Sequence, residues 1–148
     1  MINKDIIRLA SNTSNVGLKN KYSHKISLKN STCGDKITLE LIADKKKISS
    51  IKYETISCVY CEASASLISR KLKNVKLRDI KNDLITLKKI SIKKNVKIPK
   101  RLSDFKKLLN SDNFNRFKCI FLPIDAVLKV LKWEKYSLFF LCSVFFQK

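Results

Sequence analysis

The sequence predicts an α+β fold in which a three-stranded antiparallel sheet packs against several helices, with a ligand site at one end of the sheet. Two observations carry this. From His24 to Ile56 apolar residues alternate with polar ones, and after Ser57 they recur at helical spacing. A run of strands followed by a run of helices places the helices on one face of the sheet. The connections Asn30 to Asp35 (NSTCGD) and Asp44 to Lys47 (DKKK) are short enough for antiparallel pairing.

In chain order, Ile2, Ile6, Ile7, Leu9 and Ala10 suit a short amphipathic helix, and Ser11 to Gly17 (SNTSNVG) reads as a loop. Ile26 and Leu28 mark the first strand, Ile37, Leu39 and Leu41 the second, and Ile48, Ile51, Tyr53 and Ile56 the third. The helix after Ser57 carries Cys61, Ala65, Ile68 and Leu72 on one face, while Ala63, Ser64 and Ser66 allow close packing. A further helix covers Leu77 to Lys89, Ser91 to Pro99 is a basic linker, and Leu102 to Leu109 is helical. Pro123 with Asp125 behind it reads as a helix first turn, continued by Ile124, Val127, Leu128 and Leu131. One domain is expected over 1–133, with 134–148 as an apolar C-terminal tail. The apolar run Leu138 to Phe146 falls well short of the roughly 20 residues that a membrane-spanning helix needs.

The formal net charge of +20, from 32 Lys and Arg against 12 Asp and Glu, raises the question of nucleic acid or an anionic surface. Its distribution points elsewhere. The lysines are spread through a background rich in Ile and Asn, as an AT-rich coding sequence produces, without a stacking-aromatic platform or basic helix of known nucleic-acid-binding kinds. Neither a nucleic-acid nor a membrane partner is expected. Five cysteines, at 33, 58, 61, 119 and 142, are an odd number in a sequence that lacks a secretory leader pattern. The expected compartment is the reducing cytoplasm, where such cysteines read as metal ligands or reactive thiols rather than disulfides.

Three segments can carry chemistry. In Thr32-Cys33-Gly34-Asp35, Gly34 permits a turn that faces the Cys33 thiol and the Asp35 carboxylate to the same side, although an ordinary hairpin turn with a buried cysteine fits equally. In the segment from Ser57 to Ser66, Cys58 falls where a strand ends and a helix begins, among unpaired backbone N–H groups that favour a thiolate. Cys61 completes a CxxC, but with no second CxxC and no βαβ order it reads as a buried or auxiliary residue on the packing face. In Arg116-Phe117-Lys118-Cys119, two cations beside a thiol are expected to lower its pKa and to balance a thiolate-rich site. Taken alone, a cysteine in an apolar segment such as Cys119-Ile120-Phe121-Leu122 is more often core than ligand. His24, the one histidine, stands outside these segments and reads as structural or surface.

Together these segments resemble the U-type iron–sulfur cluster assembly scaffolds, the IscU and SufU proteins and the N-terminal domain of NifU. The resemblance runs from about Ile6 to Leu131 and rests on Asn30 through Asp35, Cys58 through Ser66, and Arg116 through Cys119. It implies that Cys33, Cys58 and Cys119 are sulfur ligands and Asp35 the oxygen ligand of iron or of a transient [2Fe–2S] cluster. It further implies a cysteine desulfurase as sulfur donor and acceptor apoproteins as recipients, a scaffold rather than an enzyme. In the SufU branch the same residues hold Zn2+ and Cys119 accepts persulfide, making the protein a sulfurtransferase. Lys118 stands where the IscU branch has histidine, which moves the match toward SufU, while Ser31 and Ser57 replace the usual proline and glycine. A reading of another class is a basic nucleic-acid-binding module with a structural zinc.

Overall fold

The structure, a computed structural model, describes residues 2–93 and 95–144, with side chains described as far as Lys132. Lys4–Ala10 forms α1, whose first turn is capped by the Asn3 side chain accepting the Asp5 N–H at 2.8 Å. The strands β1 (His24–Lys29), β2 (Lys36–Ala43) and β3 (Ile48–Ile56) lie in that order and pair antiparallel. Their register aligns Ile26, Leu39 and Tyr53 in one row across the sheet. Leu28 pairs with Ile37, and Leu41 with Ile51, so the alternation in the sequence is the inward face of the sheet. Ile56 departs from that pattern: it ends β3 and is 78% exposed.

The segment between α1 and β1 is tied down rather than loose. Val16 bridges Tyr53, with Gly17 N–H donating to the Tyr53 carbonyl at 2.9 Å and Tyr53 N–H to the Asn15 carbonyl at 3.1 Å. Farther along, the buried Glu40 carboxylate accepts the backbone N–H groups of Lys19 at 2.8 Å and Asn20 at 3.1 Å, and meets Lys25 Nζ at 3.3 Å. An unpaired carboxylate in that position would cost several kcal/mol, so these donors fix the segment as well as the charge.

Two helices carry the site against the sheet: α2 (Val59–Lys71) and α4 (Phe117–Val144), with α3 (Leu77–Lys89) between them in sequence. Residues Ala63 to Ser69 of α2 are all buried, so this helix is enclosed on every side by α1, the sheet and α4. Small side chains permit that enclosure, and the serines find partners: Ser64 Oγ donates to the Ile120 carbonyl at 2.6 Å and Ser66 Oγ to the Asn12 carbonyl at 3.2 Å. Leu102 to Leu109 is helical as expected but as a tighter 3₁₀ helix over Lys100–Lys107, burying Leu102 and Phe105.

The last helix corrects the sequence reading. It starts at Phe117, so Pro123 and Asp125 are inside it rather than in its first turn. The physical start is a preceding 3₁₀ helix, Ser111–Arg116, capped by the Asn110 side chain accepting from Asp112 and Asn113, which runs directly into α4. Pro123 has no N–H to give the Cys119 carbonyl four residues back. Asp125 pairs with Lys88 of α3 instead of with a helix dipole. Among the described residues no helix is long and apolar enough to cross a membrane. The backbone of α4 runs to Val144, while the packing of the apolar run Leu138 to Phe146, and Cys142 within it, lies outside the described residues.

Candidate metal centre

The Asn30–Asp35 connection is a built turn. Asn30 N–H donates to the Asp35 carbonyl at 2.7 Å, Gly34 N–H to the Asn30 carbonyl at 2.8 Å, and Thr32 N–H to Asn30 Oδ1 at 3.0 Å. Gly34 has φ +78° with open space around it, so glycine is required here by backbone conformation and not by crowding. This turn leaves the Cys33 thiol exposed and the Asp35 carboxylate buried.

Asp35 then reaches the start of α2. Its Oδ1 accepts the Cys58 N–H at 3.1 Å and its Oδ2 the Cys58 thiol at 3.2 Å, which locks the N-cap residue of α2 onto the β1–β2 turn. From the opposite side α4 brings Cys119, whose sulfur lies 3.5 Å from that of Cys33. Donor atoms of Cys33, Asp35 and Cys119 all lie within 4.8 Å of one another, and Cys58 adjoins them through Asp35. The structure therefore brings together all four residues singled out in the sequence, with three forming the tight group.

Electrostatics within the group are those of a pocket of thiols around one carboxylate. Burial acts to raise the Asp35 carboxyl, but the Cys58 thiol and N–H, helped by the Cys33 and Cys119 thiols, outweigh it and hold it below its usual range. Cys119 shifts the other way. Burial first, then its neighbours Cys33, Cys58 and Asp35, push its thiol well up. This overturns the expectation that Arg116 and Lys118 would lower it. Arg116 lies over the Tyr60 ring, 5.7 Å from its centre, and Lys118 lines a cleft with Thr32 and Phe121. Cys61 is fully buried, its thiol pushed up to about 12 by burial, and it is not part of the tight group.

Two supports were not visible in the sequence reading. Glu62, one turn beyond Cys58, takes hydrogen bonds from the Tyr53 hydroxyl at 3.1 Å and from Thr55 Oγ1, joining α2 to β3 behind the site. The Ser64 bond to Ile120 holds α4 on α2 one residue from Cys119. A serine in an otherwise enclosed helix is the signal that points to such a bond, since its hydroxyl must find an acceptor.

The donor set suits a soft metal. A tetrahedral Zn–thiolate bond of about 2.3 Å places two sulfurs on one ion about 3.8 Å apart, close to what Cys33 and Cys119 already show. Thiolates are equally the anchors of iron–sulfur clusters.

Comparison with known proteins gives the family and the fold. The family model described as NifU-like N terminal domain matches residues 1–112, which takes in Cys33, Asp35 and Cys58 and stops short of Cys119. Among solved structures, an N-terminal NifU-like protein from Brucella abortus superposes with a TM-score of 0.80 at 20% identity, over 90% of this chain and 94% of that one. A putative iron–sulfur cluster assembly scaffold protein for the SUF system from Fervidobacterium islandicum superposes with a TM-score of 0.74 at 18% identity, over 85% and 93%. At these identities the likeness is one of fold. No curated protein matches the chain. With the family model covering most of the chain, and its Cys and Asp residues gathered at one end of the sheet, the chain belongs to the NifU-like N-terminal domain family of iron–sulfur cluster assembly scaffolds.

Proposed function

We propose that this protein is a scaffold on which a [2Fe–2S] cluster is assembled as cargo, held by Cys33, Asp35, Cys58 and Cys119, and handed to acceptor apoproteins. The observation that carries the reading is the convergence of Cys33, Asp35 and Cys119 within 4.8 Å, in a chain of this family, from segments remote in sequence. Three thiolates anchor iron, and a desulfurase supplies the sulfur. The exposed Cys33 thiol gives incoming cargo an approach, while buried Cys119 closes the site from beneath.

The second reading is a zinc-bound sulfur carrier, favoured by the 3.5 Å Cys33–Cys119 separation and by Lys118 in place of histidine. There the Cys119 thiolate attacks the outer sulfur of a desulfurase persulfide; the desulfurase S–S bond breaks, its cysteine leaves as a thiolate, and the transferred sulfur makes Cys119 the persulfide. Anaerobic reconstitution with iron and sulfide separates the two. Visible cluster absorption with matching acid-labile sulfide supports the scaffold. Stoichiometric zinc that resists exchange, together with persulfide on Cys119, supports the carrier.

Asp35 is expected to govern release. A hard oxygen donor beside soft thiolates is the ligand that exchanges most readily with an acceptor thiol. Asp35→Ala should still assemble cargo but deliver it about tenfold more slowly to an apo-ferredoxin, and Asp35→Cys more slowly still. Wild-type delivery rates in both variants would reduce Asp35 to the residue that caps Cys58.

A further inference from the structure

Along the side of α4 that meets α3 and the end of β1 runs an open cleft of about 560 Å³. Its floor is apolar, made by Leu28 of β1, Leu122 and Leu128 of α4 and Ile85 of α3, the last 38% exposed. Its rim is cationic: Lys29, Lys81, Lys129 and Lys132 surround the floor. Among the described residues the one carboxylate lining it, Asp125, is already paired with Lys88. A second cleft of about 460 Å³, lined by Phe121, Phe114 and Lys118, opens on the same side of α4 and reaches Thr32 beside Cys33.

Positions 118, 121, 122, 125, 128, 129 and 132 recur at three- and four-residue spacing, so both clefts follow a single side of α4. From Lys118 to Lys132 that side is about 21 Å long, four helical turns. Its length, apolar floor and basic rim match one kind of occupant. We propose that this side of α4 is a docking groove for an acidic amphipathic helix of a partner protein, whose apolar stripe covers the Leu and Ile floor and whose flanking carboxylates meet the lysines.

The chemistry of the groove separates this from the other bodies that a basic face attracts. A duplex contacts lysines through its phosphates and gains nothing from covering leucine and isoleucine. A membrane surface takes up convex amphipathic elements, whereas this apolar surface is concave. The charge here also differs from the scattered lysines elsewhere, because four lysines that form no ion pair among the described residues line the same cleft as the apolar side chains. A helix seated in the groove would have one end beside Thr32 and Lys118, the chain neighbours of Cys33 and Cys119. The proposal goes beyond the assembly function and holds whichever metal or cluster the thiols carry.

The test uses the full chain and a fluorescein-labelled, stapled helical peptide bearing leucines at one-turn spacing flanked by glutamates. A peptide of the same composition with its leucines scrambled, and a short DNA duplex, serve as competitors. Anisotropy should show saturable binding of the patterned peptide that weakens with added salt. Lys81→Glu with Lys129→Glu should weaken it about tenfold or more, and Ile85→Ser by a similar factor. Lys45→Glu with Lys46→Glu, an equal charge change on the β2–β3 turn, should alter it by less than about threefold. Ile85 is partly exposed, so its replacement leaves the core in place, and an unchanged melting curve verifies that. The proposal is overturned if the patterned peptide does not bind, if the scrambled peptide or the duplex binds as well, or if the two lysine pairs have equal effects.

Discussion

Replacing Cys119 with serine is expected to weaken zinc or ferrous iron binding by about 100-fold or more, because loss of an outer-shell partner alone typically costs 10–100-fold and a direct thiolate ligand contributes more. Cys33→Ser and Cys58→Ser should do the same, since the first adjoins Cys119 at 3.5 Å and the second is held to Asp35 at 3.2 Å. Cys61→Ser and Cys142→Ser should leave most of the affinity intact. Cys61 is the informative control: it is only three residues from Cys58 yet fully buried on the packing face, with a thiol that resists ionisation. Competition against a chelator, with near-UV circular dichroism to confirm folding, measures all five. Equal losses at every cysteine would contradict the assignment, for they would mean that metal is held by any available thiol.

The largest effect on stability is expected at Tyr53. Its side chain is wholly buried in the central row of the sheet, its backbone holds the Val16 segment, and its hydroxyl reaches Glu62 of α2. Burial, reinforced by Glu62, pushes the phenol well above its ordinary pKa, so it acts only as a neutral donor. Tyr53→Ala should lower unfolding free energy by about 3–5 kcal/mol, the usual range for emptying an aromatic site. Tyr53→Phe should lower it by about 1–2 kcal/mol through the lost hydrogen bond and the unsatisfied Glu62 oxygen. Urea denaturation of the metal-free protein checks both. A loss below about 1 kcal/mol in the alanine variant would show that the sheet is anchored elsewhere.

Much of this was legible in the chain because local pattern and tertiary packing agree there. The three strands alternate because one face of the sheet is buried, and the turn containing Gly34 is encoded within six residues. Asp35 and Cys58 were legible for the same reason, one in a turn and one at a helix start. Cys119 was less so: two neighbouring cations marked it as a candidate, but a cysteine in an apolar segment is more often core than ligand, and the resemblance to a family carried the rest. The supposed influence of Arg116 and Lys118 failed because neighbours on a helix point in different directions, and Arg116 finds Tyr60 instead. Pro123 misled for a related reason. Proline suits a first turn, but the cap is Asn110, thirteen positions earlier, where a 3₁₀ turn feeds the helix without a break. The Ser64–Ile120 bond spans 56 residues, and no local spacing announces it.

Cys33 and Cys119 lie 86 residues apart, and that separation sets an order of events during synthesis. As the chain leaves the ribosome, the turn bearing Cys33 and Asp35 and the start of α2 with Cys58 emerge first, offering two thiols and a carboxylate. Cys119 arrives only with α4, and reaches the others only once that helix has seated against α2. Full metal affinity is thus withheld from a nascent or half-folded chain. A metal held across Cys33 and Cys119 would tie the two ends of an 86-residue loop together, a cross-link whose closure the folded protein has already accomplished and an unfolded chain would have to recreate. On the proposed function, cargo loading would double as a checkpoint on the chain's own folding.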